Sequence, residues 1–353
     1  MVTEKKYTYK AGDSVNQSLA VKYRPSTFDE MYGQTSTVKI LTRQIELNKF
    51  KNCYLFCGAS GCGKTTAARI FARMINNNIG EPIEVDGASN NGVDNVKQII
   101  KQASERSLDG KYKIYVIDEC HMLTIQAWNA FLKCIEEPPA FTIFIFCTTD
   151  PQKIPSTILN RVQRFNFNRL STDEIKTRLM YICNSEGFLN FVDSCDYISR
   201  ISNGQMRDAI ATLEKCADYS TDLNLQNTLY VLGNYSYQTF FDLVNSILDV
   251  DEKRVVNITQ EIYNSGGDIK LFVNQFLSFI LDIQKYIICQ DISVTKLPAN
   301  YLDELKKSIN FNSPNDFYSY LTSKILKLKN MIKNDVDPKV TVEVELLSAC
   351  RLQ

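Results

Sequence analysis

The residues 57–71, "CGASGCGKTTAARIF", place glycines, a lysine and a threonine in the spacing G-x-x-x-x-G-K-T. That spacing suits phosphate chemistry. Gly58, Gly61 and Gly63 let backbone N–H groups turn inward onto phosphate oxygens, Lys64 adds a point charge, and Thr65 offers a hydroxyl to Mg²⁺. With Cys62 and Thr66 between and after them, these residues form the expected nucleotide-binding set. The stretch "IYVIDECHM" ends an apolar run in two adjacent carboxylates. In second place after a phosphate loop, Asp118 suits the Mg²⁺ shell and Glu119 suits polarising an attacking water. Further on, "CTTD" puts Thr148 and Thr149 at another strand end, either to reach a γ-phosphate or to cap the strand. The single histidine, His121, reads as a packing or hydrogen-bonding residue rather than a catalytic one, and Trp128 reads as core.

Such a site needs a rigid frame. "NCYLFCG", "PIEVDGA", "YKIYVID" and "FTIFIFCTT" read as strands. "GKTTAARIFARMIN", "GVDNVKQIIKQASE" and "IQAWNAFLKCIEE" read as the helices between them. Strict alternation predicts a parallel sheet covered on both faces. Beyond residue 169 the strand signal ends. Ser171 and Glu174 form an S-x-x-E capping box, and the rest reads as helices, with turns at "SNGQ", "NSGGD" and "LPAN". The stripe Phe272, Phe276, Phe279, Ile283 and Ile287 predicts a helix packed inside a bundle.

Composition limits the rest. Forty basic and forty acidic side chains cancel, which argues against a globally basic nucleic-acid binder but leaves room for a local positive surface. No stretch reads as an uninterrupted membrane span, and "MVTEKKYTYKAGDS" lacks the apolar core of a signal peptide, so a cytoplasmic protein is expected. Residues 1–20 are expected to form a flexible arm. The eleven cysteines contain no C-x-x-C pair and sit mostly in apolar runs such as "YIICQD". They read as reduced, buried small hydrophobes, with no disulfide or metal framework.

The order of "KYRPSTFDEMYGQ", the phosphate loop, "DGASNNGVDNVKQII", "YKIYVIDECHMLTIQAWNAFLKCIEEPP", "CTTDPQKIPSTILNRVQRF" and "GQMRDA" closely resembles the ATPase subunits of DNA-polymerase clamp loaders. The same order is similar to that of bacterial polymerase III gamma/tau subunits, and replication factor C small subunits look like more distant relatives. The resemblance is dense over about residues 18–215 and continues faintly to "DPKVTVEVELLSACRL". It implies an α/β P-loop AAA+ domain (1–168, with the N-terminal arm), a small helical lid (169–224) and an all-helical collar for oligomerisation (225–353). It also implies Mg-dependent ATP hydrolysis, stimulated by DNA and by a sliding clamp, that opens the clamp and loads it onto primer–template DNA during replication. The implied partners are the clamp, primed DNA and other loader subunits in a ring, taken as a pentamer, in the cytoplasm of a bacterium or a phage-infected host.

Residue by residue, the resemblance implies that Tyr23, Arg24 and Pro25, with Gly33 and Gln34, border the adenine. Thr149 matches the polar sensor at the strand end. Arg207 matches a second sensor acting on its own subunit's ATP, and Arg161 an arginine finger reaching the neighbour's. Lys97, Thr124, Lys133 and Thr157 match contacts to DNA backbone phosphates. Clamp contact is expected around "IQAWNAF" and the loops beside "GVDNVKQII".

Four departures stand out. The finger motif, usually S-R-C, is Asn160-Arg161-Val162 here; Asn90 and Gly92 replace residues often basic in relatives. "NNNIGEP" occupies the place of a four-cysteine zinc module, so zinc is not expected. The chain stops where a collar would end, which suggests a minimal loader ATPase from a compact replication system. Two alternatives stay open: a branch-migration helicase type of motor, whose third domain would be a winged helix with a β-hairpin, and a stator-type subunit without a working ATP site.

Overall fold

A computed structural model describes residues 17–105, 110–264, 268–335 and 337–351. Two compact units divide the chain: Met1–Ile182 with Ser202–Glu214, and Cys183–Ile201 with Lys215–Gln353. The first contains, in order, α1 (Leu19–Lys22), α2 (Thr35–Glu46), β1 (Cys53–Gly58), α3 (Lys64–Ile75), β2 (Ile83–Asp86), α4 (Val93–Ala103), β3 (Lys113–Asp118), α5 (Ile125–Glu136), β4 (Thr142–Thr148), α6 (Ser156–Leu159) and β5 (Gln163–Phe167). Next along the chain come α7 (Thr172–Glu186), α8 (Val192–Ile201) and α9 (Met206–Tyr219).

The five strands form one parallel sheet in the order β2-β3-β4-β1-β5. Side chains alternate along each strand, so β1 divides its residues between two cores. Tyr54 and Phe56 join Phe71, Ile145 and Phe165 on the α2–α3 side. Leu55 and Cys57 join Trp128, Phe131, Phe144 and Phe146 on the α4–α5 side. Burial on both faces explains why β4 is apolar almost throughout, and it fixes where the strand ends point.

The expected strands and helices form. β5 was not anticipated, because it is an edge strand in which exposed Arg164 and Asn166 alternate with buried Phe165 and Phe167. The arm expected over residues 1–20 falls mostly outside the described residues; Leu19 and Ala20 open α1. The "NSGGD" turn includes residues 265–267, also outside the described set. At α7 the capping box closes in both directions: Ser171 N donates to Glu174 Oε2 at 2.8 Å, and Glu174 N donates to Ser171 Oγ at 3.2 Å.

Among its described residues, the second unit's named elements are all helices, with one isolated bridge between Leu189 and Asp222. After α8 it contains α10 (Leu225–Val231), α11 (Tyr237–Leu248), α12 (Glu252–Asn264), α13 (Ile269–Cys289), α14 (Leu302–Ser308), α15 (Pro314–Met331) and α16 (Pro338–Cys350). Here one expectation is corrected. α13, with 21 residues and a mean hydropathy of 1.2, is long and apolar enough to cross a membrane by length and composition. Its Phe272, Phe276, Phe279 and Ile283 are instead buried against α11 and α15 side chains, as the stripe predicted. Ten of the eleven cysteines are buried, and Cys289 in "YIICQD" is exposed at the end of α13.

Candidate functional site

The phosphate loop joins β1 to α3. Gly61 and Gly63 take φ of +68° and +97°, the left-handed region that side chains with a Cβ rarely enter. Gly63 is the N-cap of α3, so the unpaired N–H groups of the first helical turn face the loop. Lys64 is 6% exposed, and its Nζ donates to the carbonyls of Gly58 (2.9 Å) and Ala59 (2.8 Å). At the end of β3, Asp118 Oδ2 accepts a 2.7 Å hydrogen bond from Thr65 Oγ1, while Oδ1 accepts one from Glu119 N at 2.9 Å.

Glu119 has φ 44° and ψ 42°, a left-handed backbone that costs a non-glycine residue on the order of 1 kcal/mol. This turn separates its side chain from that of Asp118. Glu119 Oε2 accepts from Thr149 Oγ1 at 3.2 Å and lies 3.2 Å from His121 Nδ1. The same His121 nitrogen is 3.3 Å from Thr148 Oγ1, so the histidine has the hydrogen-bonding place expected of it. Thr148 is fully buried and caps the strand end by accepting from Asp150 N at 3.0 Å.

A cleft of about 230 Å³ adjoins the loop. Its walls include Tyr23, Arg24 and Pro25, the loop from Ser60 to Thr66, Asp118, Glu119 and Arg207. Met206 N donates to Gly61 O at 3.1 Å, which fixes the start of α9 against the loop. Burial, and then the Arg69 guanidinium, lower Arg24 from the usual arginine range; Arg207 adds to this and Glu84 opposes it. Gly33 and Gln34 lie outside the cleft wall. The Gln34 amide clasps Asn168 instead, donating to its carbonyl at 2.7 Å and accepting from its N–H at 3.0 Å.

Sequence reasoning passed over Met31, Tyr32, Arg178 and Ile210, which also line the cleft. Arg178 is 8% exposed, donates to Tyr23 O at 2.6 Å and lies over the rings of Tyr32 and Tyr181. An arginine on the buried face of α7, beside Ile175, Leu179 and Ile182, was the available signal.

Arg161 is not on the cleft wall. It follows α6, pairs with Glu136 at 2.7 Å and donates to Thr157 O at 2.7 Å. Lys97, Thr124, Lys133 and Thr157 are all exposed, on α4, at the N-cap of α5, on α5 and on α6. Thr124 Oγ1 accepts from Ala127 N at 3.2 Å, and its own N–H donates to Asn91 O at 3.1 Å. Beside it, Met122 and Ile125 are exposed apolar side chains.

The donor set fits a magnesium nucleotide. A threonine hydroxyl and a carboxylate oxygen 2.7 Å apart are hard oxygen donors, and the loop offers backbone N–H groups with a buried lysine.

Comparison with known proteins agrees with this geometry. Residues 81–171 match the family model "DNA polymerase III, delta subunit", and residues 223–353 match "DNA polymerase III subunits gamma and tau domain III". The chain is 32% identical to the DNA polymerase III subunit gamma of Buchnera aphidicola, over 94% of this chain and 98% of the relative. It is 30% identical to the subunit tau of Bacillus subtilis over 95% of this chain, and 29% identical to the subunit gamma/tau of Mycoplasma genitalium over 88%. It spans only 63% and 55% of those two relatives' lengths. Among solved structures, the RuvB Holliday junction branch migration motor of Thermotoga maritima superposes on 65% of this chain and 80% of its own, with TM-score 0.50 and 19% identity, a likeness of fold. The chain belongs to the DNA polymerase III gamma/tau family.

Proposed function

We propose that this chain is a clamp-loader motor subunit, using ATP binding and hydrolysis to open a sliding clamp and load it onto primer–template DNA. The carrying observation is one cleft at the strand ends that gathers Lys64, Thr65, Asp118, Glu119 and Arg207, with Arg161 outside it. In this reading the chain divides into an ATPase domain (1–168), a lid (169–224) and a collar (225–353).

Lys64 and the loop N–H groups hold the β- and γ-phosphates. Thr65 and Asp118 hold Mg²⁺, which when bound neutralises charge on the phosphate oxygens. Glu119 takes a proton from the attacking water, and Thr149, 3.2 Å from its carboxylate, orients it. Tyr23, Arg24 and Pro25 border the base, and Arg207 reaches the γ-phosphate within its own subunit. Gln34 contributes indirectly, by fixing Asn168 beside the loop. Arg161 acts on the ATP of the neighbouring subunit, so turnover depends on ring geometry. Lys97, Thr124, Lys133 and Thr157 contact DNA phosphates, which set position rather than sequence. The ring is a pentamer, and the place of action is the bacterial cytoplasm.

A stator role has no need of this intact set of residues. A branch-migration motor would carry a winged helix with a β-hairpin beyond residue 225, and the described residues there are helical, with no named strand.

Steady-state ATPase with and without primed DNA and clamp tests the proposal. Stimulation by both together is expected, with Lys64→Ala inactive. Turnover indifferent to the clamp would remove the loader reading and leave only the ATPase.

A further inference from the structure

A second groove, of about 740 Å³, opens at the carboxyl ends of β4, β1 and β5. Ser60 and Glu119 line both this groove and the nucleotide cleft, so they form the partition between the two. Thr149, Arg164 and Arg169 also line the groove. The placement of Arg164 follows from β5. Phe165 and Phe167 are buried on one face, so Arg164 and Asn166 project from the other, in register with Leu55 and Cys57 of β1.

Both arginines are held but keep donors in reserve. Arg164 Nε donates to Asn166 Oδ1 at 3.0 Å, and Arg169 Nη1 donates to Asn203 O. Each bond uses one of the five N–H groups of a guanidinium. Lys64 Nζ, bonded to the carbonyls of Gly58 and Ala59, adds positive charge behind the same wall. Glu119 is the carboxylate of the groove lining, and it also lines the nucleotide cleft.

In-line hydrolysis gives this groove a direction. Water attacks the γ-phosphorus opposite the bond to ADP; the new P–O bond forms as the bond to the ADP oxygen breaks. In the ATPase reading above, Glu119 and Thr149 mark the attacking side, so inversion moves phosphate toward them and away from ADP. The water's proton passes to Glu119 and later goes to solvent.

We propose that this groove is the exit for inorganic phosphate, and that Arg164 and Arg169 draw the anion out while ADP remains in the cleft. The proposal rests on the ATPase reading. A groove lined by one sign of charge changes the rate of ion passage by about tenfold or more.

The test is single-turnover hydrolysis by the full chain with clamp and primed DNA. Rapid quench reads bond cleavage, and a fluorescent phosphate-binding protein reads release. Arg164→Gln with Arg169→Gln is expected to leave cleavage within about twofold and slow phosphate release about tenfold; Arg164→Glu should slow release further than Arg164→Gln. ADP release, followed with a fluorescent analogue, should not change. Because Arg169 also holds Asn203, Arg164→Gln alone must slow release while binding ATP normally. Release that keeps pace with cleavage in every variant overturns the exit and leaves the ATPase reading standing. No cleavage by the wild-type chain overturns both.

Discussion

Arg161 offers the sharpest quantitative test of the ring mechanism. Its guanidinium is 39% exposed and paired with Glu136, itself 48% exposed, at 2.7 Å. Solvent screens such a pair, so it contributes at most about 1 kcal/mol. The bond to Thr157 O adds a similar amount. A finger acting in trans supplies about 10³–10⁵ in rate, equivalent to roughly 4–7 kcal/mol. Releasing Arg161 from Glu136 is therefore a small cost beside the gain. Arg161→Ala should change folding stability by less than about 2 kcal/mol and leave ATP binding intact, yet reduce assembled turnover by at least about 10³. Glu136→Gln, which frees the arginine, should raise assembled turnover by up to about fivefold, the rate equivalent of 1 kcal/mol. The assay is ATPase with saturating clamp and primed DNA, with analogue binding and denaturation measured in parallel. Arg161→Ala with wild-type turnover, or Glu136→Gln at less than half of it in a folded, ATP-binding protein, would refute the reasoning.

Three further outcomes follow from packing and burial. A Cβ on Gly58 would collide with Phe167 O, so Gly58→Ala should push β5 from the loop and lose about 1–3 kcal/mol in urea denaturation; unchanged stability would sink that account. Burial pushes the Cys53 thiol up to about 12 and the Tyr197 phenol up to about 12, from 9.0 and 10.0. Because the folded values are raised, the stabilising difference is complete below pH 9 and is lost as pH climbs toward 12. Chemical denaturation followed from pH 8 to 11 should therefore show falling stability, and at pH 8 iodoacetamide should modify Cys289 before the ten buried thiols.

The loop, the acidic strand end and most of the sheet were legible because each is coded locally: glycines at fixed intervals, an apolar run closed by carboxylates, alternating strand and helix. β5 was hidden because its polar alternate residues face a groove instead of a second helical layer. The resemblance implies a place for Gln34 beside the base, while its bond to Asn168, 134 residues away, is one no local spacing encodes. Arg178 leaves a local signal, an arginine on an apolar helix face, but its acceptor on Tyr23 is 155 residues distant. The apolar length of α13 reflects how many aromatic neighbours surround it: Phe240, Phe241 and Tyr235 pack against its phenylalanines.

The two units are not consecutive stretches of chain. Residues 183–201 belong to the second unit, and residues 202–214, with Arg207, return to the first. During synthesis, the last segment of the first unit emerges only after residues 183–201 of the second. A fragment cut at residue 182 would carry the phosphate loop and both carboxylates but no Arg207, and Gly61 O would lose the Met206 N–H that meets it. A cut at 182 thus leaves the second unit whole but the first short of residues 202–214, a cut at 214 does the reverse for residues 183–201, and no single cut frees both units intact.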